Sequence, residues 1–274
     1  MRSITVQDIA IPVLGFGTAG LVGDDASAKI LRAIEMGYRH IDTAQCYDNE
    51  SEVGRALVAS GLPRGEFFVT TKVWIDRFAE EEVERSVEES LSRLGLETVD
   101  LVLLHWPNPK FSIGPTMRGL SRVHRGGRAR SIGLSNFPIA LMDEARAATD
   151  QPLIVNQVEF HPFLHQQPLL SALRARGMIL AAHTPLARGR VFSDPTVQAI
   201  AARHGRTCGQ IVLRWLLQHP GVVVIPGSSN EQHVRENLGV FDFTLSNDEM
   251  DLLSGLGSPS GRVLDWREMV PRWD

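Results

Sequence analysis

The sequence predicts a closed (β/α)8 TIM barrel of the α/β class, entered through an N-terminal β-hairpin. Short apolar runs alternate with amphipathic segments along the whole chain, and eight of the runs are each followed by a helical pattern. Composition does not break anywhere in the 274 residues, so the units are expected to form one domain over 1–274, with 262–274 as a tail over the active-site face. A doubly wound sheet would need a glycine-rich turn that opens a helix. Gly15-Phe16-Gly17-Thr18-Ala19-Gly20 is the only candidate, and it lacks both the helix and a ribose-binding acid at fitted spacing.

The elements follow in order. Residues 4–6 and 9–11 flank Gln7-Asp8 as a small hairpin. Strands are expected at 13–18, 39–42, 67–72, 99–104, 129–134, 153–157, 178–182 and 222–225. The intervening helices are expected at 25–36, 50–60, 80–94, 116–125, 139–148, 168–176, 195–203, 208–218 and 231–238. Gly37, Gly61, Gly95 and Gly177 sit where a helix ends in a residue of positive φ. Asp194-Pro195 reads as a cap followed by a first-turn proline.

Composition excludes several classes. Net charge is −4, from 28 Lys and Arg against 32 Asp and Glu, and no basic stripe marks a nucleic-acid partner. The charge run 80–93 mixes signs at helical spacing and reads as a solvated face. No apolar stretch reaches the roughly 20 residues of a membrane span. The N-terminus has no apolar leader core. Only Cys46 and Cys208 are present, without metal-ligand spacing, so a cytoplasmic protein with no metal is expected. Cys46 itself reads as a packing residue.

Chemistry gathers at the strand ends, which share one face of a barrel. Asp42 ends the second strand and Tyr47 lies on its loop. Lys72 ends the third and His105 follows the fourth. Ser135-Asn136 follow the fifth, Gln157 ends the sixth, His183-Thr184 follow the seventh, and Gly227-Ser228-Ser229 follow the eighth. Reducing a carbonyl needs a proton on oxygen and a hydride on carbon. No side chain donates hydride, so a nicotinamide must. A tyrosine titrates near 10, and a nearby ammonium is expected to lower that value and make Tyr47 an acid–base group. Asp42 would hold Lys72 in place, and His105 would orient the carbonyl oxygen. Simpler readings exist for each: a capping pair at Asp42-Thr43, a core histidine at 105, a surface aromatic at 47.

The run His40-Ile41-Asp42-Thr43-Ala44-Gln45-Cys46-Tyr47-Asp48-Asn49-Glu50, with Lys72-Val73-Trp74 and Leu104-His105-Trp106-Pro107, resembles the catalytic set of the aldo-keto reductases. Ser131-Ile132-Gly133-Leu134-Ser135-Asn136-Phe137 and Val155-Asn156-Gln157-Val158-Glu159 are similar to that family's fifth and sixth strand signatures. The resemblance implies an NADP(H)-dependent carbonyl reductase, mostly monomeric in the family. It places Ser135, Asn136 and Gln157 on the nicotinamide carboxamide, with Gly17, Thr18, Asp42, Thr184, Leu186 and Arg188 in the cofactor site and Glu236-Asn237 at the adenine. Trp74 and Trp106 would join Tyr47 and His105 as substrate walls. Ile41–Gly54 with Asp48-Asn49-Glu50, and the Trp273-Asp274 ending, resemble most the bacterial 2,5-diketo-D-gluconate reductases, a type that also reduces methylglyoxal.

Two departures stand out. Where the family has Tyr-Ser-Pro-Leu, this chain has His183-Thr184-Pro185-Leu186, so His183 takes the stacking position. Where the family carries a lysine and, six positions on, an arginine for the 2′-phosphate, this chain has Gly227 and His233. Ser228, Ser229 and His233 offer neutral hydrogen bonds instead, with Arg188, Arg190 and Arg235 as substitute cations. NADPH remains the expected cofactor and NADH a second. Arg262 and Trp266 of the tail are expected near the pocket, where Arg262 would meet an acidic substrate. Two other classes remain open: a Schiff-base lyase built on Lys72, and a nucleotide-binding barrel without catalysis.

Overall fold

The computed structural model describes residues 2–164, 166–264 and 273. Strands β1 (Ser3–Val6) and β2 (Ile9–Pro12) pair antiparallel with Val6 opposite Ile9. Gln7 and Asp8 between them both take left-handed backbone, φ 46° and 66°, the two-residue turn whose twist suits a hairpin. Val6 and Ile11 pack with Phe68, Leu101, Ile154 and Ile179, at or near the beginnings of barrel strands, so the hairpin plugs that end of the barrel.

The barrel strands are β3 (Gly15–Gly17), β4 (His40–Asp42), β5 (Phe68–Val73), β6 (Leu101–Leu104), β7 (Ile132–Ser135), β8 (Leu153–Glu159), β9 (Ile179–His183) and β10 (Val222–Val224). They neighbour one another in chain order, all parallel. The ring closes between its ends: Leu14 bridges Val224, Val224 N–H donates to Val13 O at 2.9 Å, and Gly17 N–H donates to Pro226 O at 3.1 Å. Both faces of each strand are covered, by the packed interior and by helices, which is why the strands read as apolar runs rather than alternations.

The covering helices are α1 (Ala26–Glu35), α2 (Glu50–Ala59), α3 (Glu80–Leu94), α4 (Ile113–Arg125), α5 (Ile139–Ala147), α6 (Gln167–Ala175), α7 (Pro195–His204), α8 (Cys208–Gln218), α9 (Glu231–Leu238) and α10 (Asn247–Ser254). The four helix-ending glycines have positive φ, and Asp194 accepts from Thr196 and Val197 N–H at the start of α7. Helix α4 begins before the expected 116, because Pro115 falls in its first turn, where a missing N–H costs nothing. Helix α10 is an addition. Ser246 and Glu249 form its capping box, a local signal the apolar periodicity of so short a helix does not reveal. The charged face of α3 is solvated as expected, and it also carries ion pairs: Glu80 bonds Arg118 at 2.6 Å and Arg122 at 2.7 Å, joining α3 to α4. Among the described residues no helix is long and apolar enough to cross a membrane.

Candidate active site

The parallel register brings the ends of β4 and β5 together, and Lys72 Nζ fills the gap between them. It donates to Asp42 Oδ1 at 2.5 Å and to Thr43 O at 2.8 Å, and lies 3.5 Å from Tyr47 Oη. The lysine is fully buried. Burial alone would pull its ammonium down, but Asp42 and Tyr47 outweigh it and hold it above the usual lysine range. The second oxygen of Asp42 accepts from Gln157 Nε2 at 2.7 Å, which ties β4 to β8 across the mouth.

Tyr47 sits on a single 3-10 turn, Gln45–Tyr47, that is pinned on both sides. Gln45 accepts from Trp74 N–H at 2.8 Å and donates to Ser86 O and Ser90 Oγ. Asn49 donates to Thr18 O and Leu21 O, and accepts from Thr43 Oγ1 at 2.7 Å. Neither anchor was anticipated, although both lie inside the run that singled out Tyr47. The expected lowering of the tyrosine is reversed. Burial pushes the phenol up, and the Lys72 ammonium offsets only part of it. Tyr47 therefore keeps its proton at neutral pH.

His105 follows β6 and faces the rings of Tyr47 and Trp74 edge-on, at 5.6 and 5.2 Å between centroids. Burial, with the nearby Lys72 and His183, holds its imidazole well below the ordinary range, so it is neutral. Its Nδ1 lies 3.5 Å from Cys46 Sγ. Cys46 is thus not internal packing: the residue is exposed and lines the cavity. Its thiol is nonetheless crowded by protein, which pushes it up to about 11.

The residues at or near the ends of β7 to β9 form one polar network. Asn136, with left-handed backbone at φ 61°, donates through Nδ2 to His105 O and Ser135 Oγ, both at 3.0 Å. Its Oδ1 lies 2.8 Å from His183 Nε2, and Ser135 Oγ donates to Gln157 O at 2.8 Å. Burial drives His183 down to about 3, so that ring is neutral too.

These groups open on a cavity of about 780 Å³. Tyr47, Trp74, His105 and Trp106 line it, followed by Asn136, Gln157 and His183, then by Thr184, Leu186, Arg188, Gly227, Ser228, His233, Glu236 and Asn237, with Gly17 along one side. Phe192 and Thr207 also line it and carried no sequence signal for doing so, whereas Cys46 stands one residue before Tyr47 and Leu264 belongs to the tail expected over this face. Thr18, Ser135 and Ser229 are not among the lining residues. Thr18 donates to Asp42 O at 3.0 Å, and Ser135 is fully buried behind Asn136. Of the three substitute arginines only Arg188 reaches the cavity wall. Arg190 donates to Gly261 O at 3.3 Å and lies over the Phe163 ring. Arg262 is also placed differently from expectation: its guanidinium lies 3.8 Å from Glu159 and 3.8 Å over the Trp273 ring, off the cavity lining. Trp266 lies outside the described residues.

The profile of the aldo/keto reductase family matches residues 13–257. The chain belongs to the aldo-keto reductase family. A nicotinamide cofactor and small carbonyl compounds are the reaction partners of that family. This aldo-keto reductase is 35% identical over 269 residues to the methylglyoxal reductase DkgB of Escherichia coli O157:H7, a match covering 97% of this chain and 100% of the relative. It superposes with TM-score 0.95 and 40% identity on the crystal structure of a protein classed as a 2,5-diketo-D-gluconic acid reductase B, covering 100% of this chain and 98% of that one. A Bombyx mori aldo-keto reductase in complex with NADP gives TM-score 0.89 at 32% identity, covering 97% and 95%.

Proposed function

We propose that this aldo-keto reductase moves a hydride from NADPH to the carbonyl carbon of a small aldehyde or ketone, of the methylglyoxal or 2,5-diketo-D-gluconate type, with Tyr47 donating the proton. One observation carries the reading. A fully buried ammonium, Lys72, lies between the Asp42 carboxylate at 2.5 Å and the Tyr47 hydroxyl at 3.5 Å, while Tyr47 opens on the cavity.

The residues present fit a nicotinamide nucleotide. The carboxamides of Asn136 and Gln157 match a flat amide, and His183 offers a neutral ring beside them. Along the cavity wall Gly17 and Gly227 approach so closely that a Cβ at Gly227 would lie 2.8 Å from Gly17 O, leaving smooth backbone where a chain of phosphates and sugars can lie. A bound nicotinamide supplies the hydride. The other roles belong to the chain. Tyr47 holds a proton that its burial retains at neutral pH. Lys72 stabilises the phenolate left when that proton goes to the carbonyl oxygen, and Asp42 keeps Lys72 charged and in place. Neutral His105 donates a hydrogen bond that orients the oxygen. Trp74 and Trp106 exclude water around it.

NADPH is favoured by the NADP-bound neighbour, and the cation-poor stretch from Gly227 to His233 makes NADH the second cofactor. The two unpaired cysteines fit a reducing cytoplasm, and the family resemblance carries a monomeric barrel over 1–274. A Schiff-base role for Lys72 is disfavoured, because a nucleophilic amine must be neutral and accessible, and this one is neither. The test is to titrate the protein with NADPH and NADH by tryptophan fluorescence, then add methylglyoxal and follow the nicotinamide absorbance. Binding with turnover supports the reading. Binding without turnover leaves a nucleotide-binding barrel, and no binding of either overturns it.

A further inference from the structure

We propose that Glu159 is a positioning residue: its buried carboxylate holds Val263 and Leu264 on the mouth of the barrel, so that Leu264 builds part of the cavity wall against which substrate lies. The word substrate rests on the reductase reading above; the tether does not.

Glu159 ends β8 two residues after Gln157, so the strand's alternation sends both side chains toward the same side. Gln157 donates through Nε2 to Asp42, whereas Glu159 reaches Val263 and Leu264. The glutamate side chain is fully buried, and a buried carboxylate is costly unless donors fill its lone pairs. Two of those donors are backbone amides of the tail: Val263 N–H to Oε1 at 2.6 Å and Leu264 N–H to Oε2 at 3.1 Å. His161 Nε2 supplies the third, at 2.8 Å. The other ring nitrogen of His161 is buried with no hydrogen-bond partner. That nitrogen is tolerable as a lone pair, which leaves the ring hydrogen on Nε2 and the bond directed to Glu159.

The tether completes a seam along residues 159–164. Leu164 bridges Ser258, and Ser258 N–H donates to Phe163 O at 3.1 Å. Gly261 passes so close that a Cβ there would lie 1.5 Å from Phe163 O. Arg190, from the loop after β9, holds Gly261 O. Among the described residues, Leu264 is where this seam meets the cavity. Charge is what makes Glu159 suited to the task, since an ionised acceptor binds amide donors more tightly than a neutral one.

The experiment is Glu159→Gln in the full chain. The carboxamide keeps the shape but turns one acceptor into a donor aimed at another donor. Amide hydrogen exchange at Val263 and Leu264 should accelerate by about tenfold or more, and KM for methylglyoxal should rise about tenfold with kcat and NADPH affinity within about twofold. Val263→Pro deletes the same bond from the tail side and should raise KM alike, which keeps the test intact if Glu159→Gln does not fold. Leu264→Ala should raise KM without faster exchange at Val263. Unchanged exchange in Glu159→Gln overturns the tether, and faster exchange with unchanged KM overturns the wall. The exchange arm needs no carbonyl reduction, so it separates failure of the tether from failure of the reductase reading.

Discussion

Cys46 Sγ and His105 Nδ1 face each other at 3.5 Å across 59 residues of sequence. The thiol is held protonated and can donate its S–H to Nδ1, an arrangement that puts the single hydrogen of the neutral imidazole on Nε2. Cys46→Ala is expected to release the ring and lower kcat by roughly three- to tenfold, the worth of one hydrogen bond, while Cys46→Ser retains most of the rate. Steady-state kinetics on the two variants decides it; equal loss in both would place the effect in packing.

Tyr47→Phe removes the proposed proton and leaves the ring against His105. Carbonyl reduction should fall by at least about a hundredfold with cofactor binding intact. A variant that still turned over methylglyoxal at the parent rate would move the acid to another group.

Asp42→Asn tests the buried pair. It leaves Lys72 fully buried without its counter-charge, which costs about 3–5 kcal/mol when one partner of such a pair is removed. Denaturant unfolding should show a loss of that order, well beyond what breaking the solvent-screened pair Glu80–Arg118 on the surface would produce.

Acid should unfold the protein through its neutral histidines. His105 and His183 titrate below their unfolded value near 6.5, His183 at about 3, so the unfolded chain binds more protons between those limits. Stability is therefore complete above about pH 6.5 and falls as pH drops below it. Melting temperature should decline from pH 7 to pH 5, and His183→Gln should flatten the decline by up to about 1.4 kcal/mol per pH unit.

Cofactor choice can be probed without rebuilding the loop. His233→Arg adds a cation to the cavity wall and should raise NADPH affinity about tenfold relative to NADH, the worth of a charge-assisted bond. Gly227→Lys should help less, because its Cβ would meet Gly17 O at 2.8 Å and force the strand ends apart. Fluorescence titrations with both nucleotides measure each effect.

What the sequence revealed was whatever is written locally. Strands buried on both faces announce themselves as apolar runs, and Asp42, Lys72 and Gln157 stand out as polar residues at or near the ends of such runs. What it concealed depends on segments meeting in space. Nothing near Arg190 or Arg262 indicates that one holds Gly261 and the other lies beside Glu159, so both looked free for ligands. The Tyr47 phenol differs in sign from the sequence expectation for a related reason: the ammonium is visible in the sequence, but the burial that outweighs it is not. Gln45 and Asn49 looked like ordinary loop residues because the partners that make them anchors are distant in the chain.

The hairpin of β1 and β2 gives the molecule a back and a front. Arg2 lies behind the plugged end, where it donates to Phe241 O, whereas Leu264 lies on the open mouth. An affinity tag or a surface linker attached ahead of Ser3 therefore leaves the cavity facing solution, and the same attachment beyond residue 264 loads the segment that frames its entrance.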